Sequence, residues 1–125
     1  RTESIWSLVD AISVKNTALA LGAASSLLAD REPPLKILAM VSRQLRMIAK
    51  MRQALGSGLS AEDAAREAGA PPFKARELER SARRFTLPHL ANAFSVVSET
   101  DGLLKGSKRP DDALLQEAVL RLCAP

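Results

Sequence analysis

The stretch that decides the fold runs from Glu32 to Phe94: EPPLKILAMVSRQLRMIAKMRQALGSGLSAEDAAREAGAPPFKARELERSARRFTLPHLANAF. Its first third predicts a long helix from Pro33 to Leu55, because proline suits the start of a helix and neither proline nor glycine occurs from Leu35 to Leu55. Apolar residues recur there at intervals of three and four, apart from an interruption at Arg52. We call this apolar face the seam of the helix; its residues are Leu38, Val41, Leu45, Ile48 and Leu55. Lys36, Arg43 and Lys50 recur every seven residues and form a basic stripe away from that seam.

Two shorter helices come after the turn at Gly56-Ser57-Gly58. Ser60 is a favourable N-cap for the fourth helix, and Gly69 suits its end. After Pro71-Pro72 a fifth helix is predicted to run to about Arg84. Its inward positions are Leu78 and Ala82, and its mostly outward cations are Lys74, Arg76, Arg80, Arg83 and Arg84.

The flanking segments predict four more helices. Ser4 is the expected N-cap of a helix over Ile5–Ser13, and a second helix covers about Lys15–Ala29. Thr86 caps the sixth helix, and Asp111 or Asp112 caps the last. The expected buried positions are Ile5, Leu8, Val9 and Ile12, then Leu19, Ala23, Leu27 and Leu28, then Leu90, Phe94, Val97 and Leu104, then Leu114, Leu115, Val119 and Leu122.

Composition agrees with a helical domain. The 125 residues are 46% hydrophobic and 26% charged but only 3% aromatic, with no tyrosine. Alanine and leucine favour helix, whereas the strand-forming aromatic and β-branched residues are sparse. Because every connection is short, consecutive helices should pack as neighbours. We predict an all-α fold, a single compact bundle of about seven helices over residues 1–125.

The first residue, the cysteine count, the hydropathy and the charge of the chain indicate its cellular setting. The first residue is Arg1 rather than methionine, so we expect a C-terminal piece of a longer protein. A lone cysteine, Cys123, forms no internal disulfide and indicates a reduced, cytoplasmic location. No apolar run reaches the ~18 residues of a membrane span. The net charge of +4 permits a nucleic-acid partner without requiring one.

The sequence lacks a recognisable catalytic constellation. It has no GxxxxGKS/T phosphate loop and no GxGxxG motif after a strand. His89 is the only histidine and lies in a different helix from Cys123, which disfavours a metal site or a nucleophile-base pair. We expect His89 to be partly exposed and Cys123 to be a small buried residue. The prediction is therefore a non-enzyme with no cofactor and no metal; a fragment of an enzyme is a remaining alternative.

A helix-turn-helix DNA reader over Ala61–Arg84 is the alternative function. The spacing of a small residue, a turn glycine and two apolar positions fits that motif at Ala65, Gly69, Ala75 and Leu78. The same spacing suits any tight αα-hairpin, so a plain packing hairpin is favoured. In a DNA reader, Lys74, Glu77 and Arg80 would approach base edges, and Arg76, Arg83 and Arg84 would touch phosphates.

The end of the sixth helix carries two further candidates. Asp101 and Lys105 are four residues apart, so we expect a structural ion pair. Lys105, Lys108 and Arg109 concentrate charge on one turn, which suits either contact with DNA phosphates or plain solvation.

Four groups of residues, taken in order, resemble a known family. They are IWSLVDAI (5–12); EPPLKIL (32–38) with RQLR (43–46); Leu59-Ser60, Ala65, Gly69, PFKA (72–75) and ARRF (82–85); and Asp101 with LKG (104–106) and LRLC (120–123). In this order they resemble the C-terminal domain of the delta subunit of the bacterial DNA polymerase III clamp loader.

The resemblance implies a non-catalytic scaffold in DNA replication. In this family the domain is a helical collar element that assembles with the equivalent domains of the gamma/tau and delta-prime subunits. The family's N-terminal region, which grips and opens the sliding clamp, lies outside this sequence, and delta lacks ATPase activity. The turn after Lys105 has no aromatic residue to stack on primer-template DNA, so a contact there would depend on cations alone.

A collar element needs exposed faces that complement two neighbours. We expect the interface on the third and last helices and on the basic face of the fifth. Methionines outside the seam suit adaptable contact surfaces, although internal core is the alternative for each apolar candidate. The candidate interface residues are Ile37, Met40, Arg43, Met47, Lys50 and Arg80.

Overall fold

The structure, a computed structural model, describes the backbone of residues 2–125 and the side chains of residues 4–125. The helices are α1 (Thr2–Ser13), α2 (Thr17–Ala29), α3 (Pro34–Gly56), α4 (Ala61–Ala68), α5 (Ala75–Arg84), α6 (Leu87–Gly106) and α7 (Asp111–Leu122). A short 3-10 turn, Pro72–Lys74, precedes α5. Over this range there is no β-strand, and the predicted all-α class is confirmed. None of the described helices is both long and apolar enough to cross a membrane.

Helix α3 is the central element and contacts α1, α4, α5, α6 and α7. The predicted seam lies inward: Leu38, Val41, Leu45 and Ile48 are buried, and Leu55 is half-buried. A leucine in such a position contributes on the order of 2–5 kcal/mol relative to alanine, because truncation removes apolar contacts and leaves a cavity. The long helix therefore organises the packing of the others.

Helix α2 packs on α1 and α7. Its buried positions are Ala20, Ala24 and Leu27. The predicted face was wrong at Leu19, which is 63% exposed. The helix is apolar on nearly every side, so periodicity could not identify the buried face, and the small alanines allow close approach to α1.

Several helix ends have the predicted capping. The Ser60 hydroxyl accepts a hydrogen bond from the Asp63 N–H at 3.1 Å, and the Thr86 hydroxyl accepts one from the His89 N–H at 3.1 Å. Two other predicted caps were wrong. Ser4 lies inside α1, since Glu3 is a good helix former and the helix already begins at Thr2. Asp111 is the first residue of α7 rather than its cap, because Pro110 occupies that position.

The second half of the bundle is joined through buried rings. Phe85 is fully buried, and its ring centroid lies 4.6 Å from that of His89. The Nε2 atom of His89 lies 2.9 Å from the Leu122 carbonyl oxygen. His89 is only 6% exposed, so the expectation of a partly exposed residue was wrong. The tertiary fold gives its ring a carbonyl partner at the end of α7, which removes the cost of burying it.

Arg52, which interrupts the apolar series of α3, has a partner on α5. Its Nη1 atom donates a hydrogen bond to the Ala82 carbonyl at 3.0 Å and another to the Phe85 carbonyl. These carbonyls lie at the C-terminal end of α5, where helical carbonyls lack partners in their own helix. The guanidinium therefore caps α5 from the neighbouring helix and complements its dipole.

Candidate subunit interface

A groove of about 230 Å³ opens between α1, α3 and the turn after α4. Helix α3 contributes Met40, Arg43, Gln44 and Met47, which are spaced to share one strip of the helix. Three of the six predicted interface residues thus meet in one place: Met40, Arg43 and Met47. The remaining lining residues are Ile5 and Trp6 from α1 and Gly69 and Pro71 from the turn. We call this surface the Trp6 groove.

The far wall of the Trp6 groove depends on the turn between α4 and α5. Gly69 adopts φ 81°, a left-handed conformation that glycine reaches without steric cost. The chain therefore leaves α4 sharply, and Pro71 comes to line the groove opposite α3. A glycine predicted only as a helix end thus also shapes the candidate site.

Lys74 supports Trp6 from the same turn. Its Nζ atom lies 5.1 Å from the centroid of the Trp6 ring and 3.1 Å from an oxygen of Glu77. Lys74 is only 7% exposed, so the prediction that it faces outward was wrong. The ammonium is buried because an aromatic face and a carboxylate receive it. Phe73, 6.0 Å from the same nitrogen, is 82% exposed.

Helix α3 carries a net positive charge. The helix has five cations and no acidic residue: Lys36, Arg43, Arg46, Lys50 and Arg52. Lys36 lies 3.6 Å from Glu32, and Arg46 bonds the Ser42 hydroxyl. Among the side chains that the structure describes, none forms an ion pair with the exposed Arg43 at the Trp6 groove.

Gln44 is the functional candidate that sequence reasoning missed. It is 6% exposed, and its Oε1 atom has no hydrogen-bond partner among the described residues. A buried acceptor without a partner costs on the order of 1–3 kcal/mol. The sequence offered no signal for it, because the predicted seam passes through Leu45 and leaves Gln44 beside it.

The other predicted interface residues lie elsewhere. Ile37 is fully buried, so it packs in the core and offers no surface to a partner; that assignment is corrected. Lys50 is exposed on α3, three residues beyond Met47. Arg80 is exposed on α5, and it does not line the Trp6 groove.

The turn between α6 and α7 holds most of its charges in pairs. Lys105 Nζ lies 2.9 Å from an Asp101 oxygen, and Arg109 is hydrogen-bonded to Glu117. That hydrogen bond, together with charge attraction, lowers the pKa of Glu117 and raises the pKa of Arg109. Lys108 is exposed and has no ion-pair partner among the described side chains.

Of the five cations predicted to face outward around α5, only Arg76 and Arg80 are exposed without an ion-pair partner among the described side chains. Lys74 is buried, so it cannot reach a base edge. Arg83 pairs with Glu79 at 3.0 Å, and Arg84 pairs with Asp10 at 3.0 Å. Three of the five cations are thus engaged within the bundle, and Arg84 links α5 to α1, which favours a packing hairpin.

No metal-binding cluster of three or more His, Cys, Asp or Glu residues occurs in the described part of the chain. Cys123 is 3% exposed, as predicted for a small buried residue. Burial raises the pKa of its thiol, opposed by a hydrogen bond with Thr17. The thiol is therefore poorly placed to act as a nucleophile.

Comparisons with known proteins identify the family. No curated protein matches this chain in sequence. The structure is similar to that of the Bacillus subtilis DNA clamp loader delta protein (YqeN), with a TM-score of 0.85 and 24% sequence identity, over 98% of this chain and 36% of that chain. At this identity the likeness shows the fold. A family model described as DNA polymerase III delta subunit, C-terminal domain, matches residues 2–122. The chain therefore belongs to the family of C-terminal domains of the DNA polymerase III delta subunit.

Proposed function

We propose that this chain is a non-catalytic oligomerisation domain of the clamp loader, which joins the delta subunit to its gamma/tau and delta-prime neighbours in a helical collar. The family match supports the setting, and the Trp6 groove is the observation that supports the role. In this proposal the sliding clamp is bound by the family's N-terminal region, which lies outside the sequence. The domain supports clamp loading by holding subunits together in the cytoplasm.

A collar element requires a second contact face, and the bundle offers one. A groove of about 610 Å³ runs between α1 and α2, with Leu19 63% and Val14 50% exposed beside it. Small residues line much of it, including Ala18, Gly22 and Ala23. Exposed aliphatic side chains beside small residues suit contact with a partner's helix. We call this surface the Leu19 groove.

The burial of the histidine and the cysteine, residue types that often act in catalysis, supports the non-catalytic part of the proposal. The only histidine, His89, is buried and engaged with a backbone carbonyl, and the only thiol is buried near Thr17. We also propose a contact with primer-template DNA at the turn between α6 and α7. It depends on Lys108, because Lys105 and Arg109 are held in ion pairs.

Assembly with purified partners tests the proposal. The chain is mixed with the gamma/tau and delta-prime subunits of the same organism at ~50 µM, well above the micromolar Kd of a modest interface. Size-exclusion chromatography with light scattering should then give a hetero-oligomer whose mass is the sum of its parts. Failure to form any hetero-oligomer at this concentration would count decisively against the scaffold role.

Substitutions to glutamate test where the interface lies. Arg43→Glu in the Trp6 groove and Leu19→Glu in the Leu19 groove should each weaken assembly, whereas Arg46→Glu should not. The last is a matched control, because it makes the same charge change on α3 but lines a different groove with Phe94 and Asp101. Equal weakening by Arg43→Glu and Arg46→Glu would mean that net charge, not the Trp6 groove, governs assembly.

A further inference from the structure

The Trp6 groove has the size of a side-chain site. Its volume of about 230 Å³ is below the ~300 Å³ at which small-molecule sites begin. Its walls are an indole ring, two thioethers and an isoleucine, from Trp6, Met40, Met47 and Ile5. An aromatic ring with flexible methionines accommodates an apolar side chain of varied shape. The space therefore suits one apolar anchor of a partner protein rather than a cofactor.

Gln44 adds a requirement for a hydrogen-bond donor. Its Oε1 atom is buried without a partner in the described structure, and Gln44 lines the Trp6 groove. The terminal torsion of a glutamine amide is broad, so the amide can rotate to offer its oxygen to a donor that enters the groove. A partner's N–H would then satisfy an acceptor that the isolated domain leaves unpaired.

Arg43 determines which charge a partner's group must carry to bind at the Trp6 groove. It lies exposed at the Trp6 groove, on a helix that carries five cations and no acid. No described carboxylate neutralises it. A planar guanidinium binds a carboxylate with two parallel hydrogen bonds, so the complementary group on a partner is an Asp or Glu side chain.

We infer that the Trp6 groove binds a short acidic segment of a neighbouring subunit. The segment inserts one apolar side chain between Trp6 and the two methionines, donates one N–H to Gln44 and places a carboxylate on Arg43. The inference rests on the proposed function and adds to it the chemistry of the partner at this site.

The chain carries its own probe for this binding. Trp6 is the only tryptophan, and the chain has no tyrosine, so indole emission reports on this groove alone. Overlapping tryptophan-free peptides that cover the C-terminal domains of the gamma/tau and delta-prime subunits are titrated into the chain. At least one acidic peptide with an apolar anchor should change the emission of Trp6 saturably.

Two substitutions separate binding from folding. Arg43→Glu should weaken the active peptide at least ~10-fold, because it replaces attraction by repulsion. Gln44→Met keeps the size of the side chain and removes the unpaired acceptor. It should weaken the peptide by ~3- to 10-fold, the usual worth of one hydrogen bond, yet melt at or above the temperature of the parent. Arg46→Glu should leave peptide affinity within ~2-fold of the parent.

The outcomes are distinguishable. If the hetero-oligomer forms but no peptide changes Trp6 emission and Arg43→Glu assembles normally, the inference is wrong while the proposed function stands. If a peptide binds as expected but no hetero-oligomer forms, the proposed function fails instead. Two other results would overturn the inference: emission that changes only with the concentration of the chain itself, which indicates self-association, or only with primer-template DNA.

Discussion

Replacement of Arg52 tests whether the link between α3 and α5 stabilises the bundle. Its guanidinium donates to the Ala82 and Phe85 carbonyls at the end of α5. Arg52→Met keeps the aliphatic stem on α3 and removes both donors. The two carbonyls then lose their cationic partner at a position where the helix provides none.

The expected loss of unfolding free energy in Arg52→Met has three contributions. A hydrogen bond to a charged group is worth about 1.5–3 kcal/mol, so the two bonds would give roughly 3–6 kcal/mol if they were independent. One nitrogen donates both bonds, and the side chain is only half-buried, which reduces their value. The buried Nε atom lacks a partner among the described residues, and its removal returns on the order of 1 kcal/mol. We expect a net loss of about 2 kcal/mol.

Urea unfolding followed by far-UV circular dichroism measures this loss. With a typical slope of 1–3 kcal/mol per molar urea, about 2 kcal/mol lowers the midpoint by roughly 1 M at unchanged slope. Arg52→Lys should be intermediate, because an ammonium keeps the charge but loses the planar fork. Arg46→Met is the control, since exposed Arg46 bonds only Ser42, and it should stay within ~0.5 kcal/mol. A loss for Arg52→Met no larger than that of the control would refute the reasoning.

Three further expectations concern single sites. Gly69→Ala should lower the free energy of unfolding by about 1 kcal/mol, because Gly69 has a φ of 81°, whereas Gly102→Ala within α6 should raise it by about 0.5–1 kcal/mol. Neither new Cβ would meet a neighbour within 4 Å, so the difference comes from the backbone. Thermal melts in which both variants shift in the same direction would contradict this argument. Cys123 should react with Ellman's reagent only as fast as the protein unfolds, because burial blocks access to the thiol and its raised pKa suppresses the thiolate. Rapid labelling of the folded protein would instead show that the C-terminus is open. The lowered pKa of Glu117 means that its pair with Arg109 stabilises the fold above the ordinary carboxyl pKa and is lost as the pH falls through the lowered value. Glu117→Gln should therefore melt slightly lower than the parent at neutral pH and equally in strong acid, and a difference that persists in acid would assign the effect to something other than charge.

The candidate site was predictable only in part. Periodicity marked Met40 and Met47 as apolar positions outside the seam of α3, and it separated Arg43 from that seam. The same reasoning placed Ile37 on the surface, because one apolar residue beside a seam does not reveal how widely the neighbouring helices cover it. Lys74 was expected outside for its charge, yet it is buried against Trp6, a residue from a distant segment, and pairs with Glu77 three residues along the chain.

The order of helices, the long α3 seam and the caps at Ser60, Gly69 and Thr86 were determined by sequence alone, because they depend on local backbone preferences and on apolar spacing within one helix. The tertiary structure decided which side of α2 is buried, why Arg52 and His89 are tolerated inside, and that Trp6, Gln44 and Pro71 share a groove. Those outcomes depend on partners contributed by distant segments, such as the Phe85 and Leu122 carbonyls. Local pattern cannot specify such contacts, since they form only when whole helices are placed against one another.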